Sequence, residues 1–247
     1  MKKITHLLLG AALGLSFNAC ADSQVTVYYP GTSETAQVSH AQNLAQLLAS
    51  PALTNRSWWP GTVIAEKMAT VVAQQHYQQT LARLRAWAAT EEGDQASAIN
   101  QVITQLSAIK VTGRQFTSLD PDWIRLRPEA NRRLEGEYSV YTLQQPDSVT
   151  LVGAIGNPGK TPWQPGRDIR DYLEGHDRLT GAERSIAVVI APNGEVKEAP
   201  IAYWNHRHVE AEPGSIIYVG FSSWALPGEY QDLNQHIISV LTHRIPD

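Results

Sequence analysis

Two long helical stretches interrupt a chain that otherwise reads as β-structure, and their position limits what the rest can form. Between residues 64 and 89, Ile64, Met68, Val71, Tyr77, Leu81, Leu84 and Ala88 recur mostly every three or four positions. Between 95 and 109, Ile99, Val102, Ile103 and Leu106 fall at i, i+3, i+4 and i+7. Gly93-Asp94 reads as a helix stop followed by an N-cap, so the two stretches are expected to form a helical hairpin. A helix with one apolar stripe is not stable alone in water, so each helix must bury its stripe on another part of the chain.

The β pattern opens before this hairpin and resumes after it. Residues 25–29 alternate and are β-branched, Pro30-Gly31 turns them, and 35–38 return as a second strand, followed by a helix over 41–49. Two strands and then a helix open a β-grasp domain. Residues 124–127 and 138–143, beyond the hairpin, are expected to supply the strands that complete it. The pattern then restarts: strands over 149–155, 185–190, 195–199 and 215–221, with a short helix over 168–175 opened by Asp168 and a tight turn at Asn193-Gly194. Val149-Thr150-Leu151 echoes Val25-Thr26-Val27, and Pro213-Gly214 before Ile216 echoes Glu135-Gly136 before Tyr138. The expected fold is α+β: tandem β-grasp domains over 22–146 and 147–222, with the hairpin inserted in the first at about 64–109. A C-terminal amphipathic helix within 226–247 places Tyr230, Leu233, Ile237, Val240 and Leu241 on one face. That single stripe is expected to pack on the second domain.

The N-terminus sets the compartment. Lys2 and Lys3 precede an apolar run from residue 7 to 15, too short to span a bilayer, and Ala19-Cys20-Ala21 follows as an A-x-A cleavage site. Residues 1–21 therefore read as an export signal, and their removal discards the one cysteine. In a competing reading, Cys20 becomes the lipid-modified first residue of a lipoprotein. Loss of Lys2 and Lys3 leaves the chain more acidic than its full-length −4, which gives no electrostatic case for nucleic acid. No later stretch reaches transmembrane length.

Chemistry-bearing motifs are sparse. Residues 154–161 fit a loose A-x-x-x-x-G-K-T pattern, but Pro162 and Pro165 oppose the helix that phosphate binding requires there, so a hairpin turn is the expectation. His206 and His208 flank Arg207 and could share one face with Glu210 or Glu212 nearby; without a third histidine a surface segment is favoured over a metal site. Trp58-Trp59-Pro60-Gly61 offers aromatic faces to a sugar ring or to the core, and Trp58 and Trp59 on an extended segment would point to opposite faces. The G-x-S-x-G and H-E-x-x-H patterns are absent, and Asp120 before Pro121 reads as a helix cap, so no catalytic residue, cofactor or metal is expected. Arg114, following Gly113 where the hairpin rejoins the first domain, is expected at the junction of hairpin and both domains. Its planar fork suits either a ligand or partner contact, or a tie between domains.

The motifs Trp58-Trp59-Pro60-Gly61, Val111-Thr112-Gly113-Arg114, Leu119-Asp120-Pro121-Asp122, Trp204-Asn205 with Arg207-His208-Val209, Pro213-Gly214-Ser215 and Leu241-Thr242 through Arg244 to Pro246-Asp247 stand in this order along the chain. In this the chain resembles the periplasmic GfcC family of Gram-negative group 4 (O-antigen) capsule biosynthesis. The resemblance implies the same tandem β-grasp domains, inserted hairpin and terminal helix, an arrangement similar to parts of Wza-type outer-membrane polysaccharide exporters. It also implies a non-enzymatic periplasmic role in assembly or export of capsular polysaccharide, with export proteins at the outer membrane, the glycan, or both as partners. The alternative is a polysaccharide-binding module or carbohydrate-active enzyme of the same pathway. Candidate pocket residues are Arg114, Trp58 and Trp59.

Overall fold

The computed structural model describes residues 23–54 and 56–246. The export signal and its alternative, lipidation at Cys20, lie outside the described residues. The chain forms β1 (Ser23–Tyr28), β2 (Thr35–Ser39), α1 (Leu44–Leu48), β3 (Val63–Glu66), α2 (Lys67–Thr90), α3 (Gly93–Ser107), α4 (Pro121–Leu126) and β4 (Gly136–Tyr141). It continues through β5 (Ser148–Gly153), β6 (Gly159–Pro162), α5 (Ile169–Tyr172), β7 (Ile186–Ile190), β8 (Val196–Pro200), β9 (Ile216–Val219) and α6 (Leu233–Thr242). Two mixed sheets result, in the orders β2-β1-β4-β3 and β6-β5-β9-β7-β8. Each has a parallel central pair, β1 with β4 and β5 with β9, between antiparallel neighbours. Each unit opens with a hairpin and a short helix before its next strand, and β8 is the added edge strand of the second sheet.

The first sheet follows the alternation of its strands. Val25, Val27, Ile64 and Val140 face inward onto Leu44, Leu47 and Leu48 of α1, with Leu53, Leu119 and Ile124 closing the core. Asn43 caps α1, its side chain accepting from the Gln46 N–H.

Two expected elements are corrected here. Residues 124–127 lie largely in helix α4, because Asp120 caps Asp122 and Trp123 and Pro121 opens the helix. The strand that fills the sheet edge is β3, which takes Ile64 out of the expected helix. Glu66 makes the change of structure, its carboxylate accepting from the Met68 and Ala69 N–H groups and starting α2 at Lys67. The hairpin bend also differs: α2 ends at Thr90, Glu91 and Glu92 are extended, and α3 begins at Gly93 rather than after an Asp94 cap.

The hairpin enters from the first unit and buries itself on the second. Leu81, Leu84 and Trp87 of α2 and Ile99, Val102, Ile103 and Leu106 of α3 share one core with Leu151, Val189, Ile217 and Val219 of the second sheet, and with Leu233, Ile237, Val240 and Leu241 of α6. With α5 also packed on that sheet, β9 is buried at all four residues, the mark of a strand covered on both faces. Trp87 is fully buried, edge-on to Phe221 and stacked on Tyr230. Met68 and Val71, expected in the buried stripe, are instead exposed, because this end of α2 turns Ala69 and Thr70 toward the chain at Gly113. The terminal helix packs as expected against the second unit. It is shorter than its pattern, a 3-10 turn at Gly228–Tyr230 preceding a ten-residue α6.

Side-chain amides register the hairpin on the sheet. Gln105 accepts from the Gly153 N–H (2.8 Å) and donates to the Gly153 carbonyl (2.9 Å), and Gln101 donates to the Ile155 carbonyl. Gly153 has φ +115°, and a Cβ there would lie 2.0 Å from the Val219 carbonyl oxygen. Gly153→Ala is therefore expected to cost about 3 kcal/mol or more, read as a lower urea midpoint at unchanged m-value. Trp87→Ala is expected to cost about 3–5 kcal/mol and to lower hydrogen-exchange protection in β9 of the other unit as well as in α2.

A histidine contact joins α2 to α6. His76 Nε2 lies 2.8 Å from His236 Nδ1 with the rings stacked, His236 also meets Asp232, and Arg83 grips Asp232 through two nitrogens. Burial holds the His76 imidazole below its ordinary value of 6.5, and the neighbouring His236 and His243 lower it further. The Arg83 hydrogen bond keeps Asp232 ionised, with its pKa down to about 2. The unfolded chain thus takes up the His76 proton first, so this contribution is whole above pH 6.5 and fades as pH falls toward the lowered folded value. The melting temperature is expected to drop between pH 7 and 5, and His76→Gln to flatten that slope.

Candidate functional site

The seam between the units is built by one returning strand-like segment. After α3, residues 110–115 run between β3 and the tail that follows α6. Gln115 donates to the Ile64 carbonyl and Glu66 to that of Gly113, while Thr112 donates to the His243 carbonyl and Ile245 to that of Lys110. Gly113 allows this closeness: a Cβ would lie 2.1 Å from the Thr70 nitrogen of α2. Close approach, rather than unusual backbone freedom, is what makes glycine necessary here.

Arg114 follows and crosses the seam. Its side chain is buried, with the residue only 6% exposed, and its guanidinium donates to the Pro192 carbonyl (2.5 Å) on the β7–β8 turn and the Thr242 carbonyl (3.5 Å) at the end of α6. Burial pushes its pKa down to about 10, helped by the charge of Arg244, so it stays cationic at neutral pH. The charge is balanced by carbonyl dipoles, among them those at the negative end of α6. The junction expected for Arg114 is thus where the structure places it, and the contacts it makes tie the units together.

A 550 Å³ cleft opens beside it, walled by Trp59, Arg114, Phe116, Asp120, Asn193 and Glu195 among others. Phe116 is half exposed, edge-on to His243 and 5.7 Å from the Arg114 guanidinium carbon. Gly194, with φ +89°, is held open by it, since a Cβ would meet the Phe116 ring at 2.7 Å. Trp59 packs partly into the first core and partly lines the cleft. Trp58 lies outside its walls, its ring pressed against Gly61. Only Trp59 of the pair packs on the core, as the opposite-face argument requires, although Trp59–Gly61 is a 3-10 turn with Pro60 second and only Trp58 before it is extended. Phe116, Asn193 and Glu195 were not legible as site residues: the first carries no motif, and the others read only as a hairpin turn.

Elsewhere, His206 and His208 both approach the Asp168 carboxylate, at 2.9 and 3.1 Å, and His208 also meets Glu210. Among the described residues no group of three or more His, Cys, Asp or Glu is arranged to hold a metal ion. Residues 159–161 of the loose phosphate-loop pattern lie in β6, so no helix N-terminus faces that turn.

The fold defines an α+β protein of two mixed sheets, the second clamped by a helical hairpin inserted in the first. Residues 21–145 match the N-terminal model and residues 157–246 the C-terminal model of the capsule biosynthesis GfcC family, and the chain belongs to that family. It is 44% identical over 246 residues to the uncharacterized protein YjbG of Escherichia coli strain K12, covering 100% of each chain. Among the described residues, no helix is long and apolar enough to cross a membrane.

Arg114→Ala removes two carbonyl contacts from a buried seam and is expected to cost about 2–4 kcal/mol. Arg114→Lys, a single ammonium in place of a fork, should recover part of that loss. Urea unfolding of both variants checks this, and equal stability of all three proteins contradicts the tying role.

Proposed function

We propose that the chain is a non-enzymatic periplasmic factor in the assembly or export of capsular polysaccharide of the O-antigen type, built on tandem β-grasp domains. Support for the β-grasp reading is the shared order and connectivity of the two sheets: hairpin, short helix, and a last strand parallel to the first. The observation that carries the functional reading is the match of both halves to one capsule biosynthesis family. The export proteins at the outer membrane, the glycan, or both are the partners this role requires.

Geometry is consistent with a scaffold. Arg114 and the 110–115 segment fix the units against each other, so the cleft of Trp59 and Phe116 has a set shape available to a partner or a sugar chain. Arg114 itself is too buried to meet a large ligand broadly and acts here by holding the cleft walls in place.

Deletion of the gene is expected to strip capsular polysaccharide from the cell surface, measured by surface immunolabelling, with recovery on expression of the full chain. Unchanged surface polysaccharide in the deletion contradicts the reading. Purified protein incubated with the polysaccharide is expected to leave its size distribution unchanged; shortening of the glycan would make the chain an enzyme instead.

A further inference from the structure

A second and larger opening lies on the other side of the seam. It encloses about 770 Å³, within the ~300–1,000 Å³ typical of ligand clefts. The ends of β1 and β4 form one wall, β5 and β6 the facing wall, and the end of α3 with the C-terminal tail the roof. Lys110, Lys160 and Arg244 line it, and no aspartate or glutamate occurs among its described lining residues.

Tyr28 and Tyr141 stand in this groove as register partners at the ends of the parallel strands β1 and β4. Their rings stack at 5.0 Å between centroids and 14° between planes. Neighbouring Tyr29 donates its hydroxyl to the Ala52 carbonyl and carries Arg56 over its ring, which makes it a structural residue. The hydroxyls of Tyr28 and Tyr141 have no hydrogen-bond partner among the described residues. Lys110, exposed at the rim, makes no ion pair among them, while its carbonyl is pinned by the Ile245 N–H.

We propose that this groove binds a segment of anionic glycan. Each sugar ring has an apolar C–H face and a rim of hydroxyls; the tyrosine pair matches both, offering flat aromatic surface and two open hydroxyls that can donate and accept. Lys110 at the rim supplies the positive charge for a carboxylate or other anion on the chain, and no acid stands beside it among the described lining residues. An acidic peptide would use the same lysine but has no need of paired phenol hydroxyls. The proposal rests on the polysaccharide role above and adds the charge class of the sugar and the surface that holds it.

Titration calorimetry of the full chain tests it with three probes: a galacturonate hexamer, neutral maltohexaose and hexaglutamate. The galacturonate hexamer is expected to bind at least ten-fold more tightly than either of the others, and more weakly as sodium chloride is raised. Lys110→Glu is expected to weaken it by at least ten-fold. The double variant Tyr28→Phe, Tyr141→Phe, which keeps the stacked rings and deletes only the hydroxyls, should weaken it by several-fold at unchanged melting temperature. Absence of binding, equal binding of maltohexaose, or tighter binding of hexaglutamate overturns the proposal, as does wild-type affinity in both variants. If the gene deletion still strips surface polysaccharide while no hexamer binds, the groove assignment fails and the assembly role stands.

Discussion

The burial of one hairpin's apolar stripe on the other unit's sheet is the contact on which the rest of the structure depends. A sheet covered by a helix on one face only would leave Tyr218 and its neighbours open to water, and two long helices without a docking surface would not hold. Joining the two needs solves both, and makes one continuous core from residues that begin in separate units. α6 completes the layer: Asn234 accepts from Tyr218 and from the Phe221 N–H, binding helix to sheet by side-chain contacts.

The seam follows from this clamp. Once α3 is seated by Gln101 and Gln105, the chain leaving it at residues 110–115 must run between β3 and the C-terminal tail. The position of Arg114 is therefore a consequence of hairpin docking, and its buried charge is tolerated because carbonyls from two elements converge on it. The walls of both openings are then drawn from distant parts of the chain: Trp59 with Asn193 in one, Tyr28 and Lys110 with Lys160 in the other.

Periodicity made the frame legible in the sequence. The strand echoes at Val25 and Val149 correspond to β1 and β5, the first strands of the two sheets, and the Asp168 and Asp120 caps open α5 and α4 as their residue types imply. Misreadings arose where a local signal has two physical outcomes. Ile64 fits a helical stripe and a strand equally well, and only the Glu66 cap decides between them. Ile124 is buried in the first core either way, so its apolar character could not separate strand from helix. Which surface the hairpin covers was not legible, because the amphipathic pattern specifies that a stripe is buried but not on what. For the same reason Arg114 could be placed at a junction, while Phe116 and the Tyr28–Tyr141 pair could not be placed at openings that exist only after docking.

The central claim, that the hairpin is seated permanently on the second sheet, is tested most directly by a distance measured in solution. Spin labels at Asn100→Cys on α3 and Glu198→Cys on β8, in a chain carrying Cys20→Ser, report the separation of hairpin and sheet by double electron–electron resonance. A single narrow distance distribution is predicted. A broad distribution, or a second population with the hairpin removed from the sheet, would contradict it.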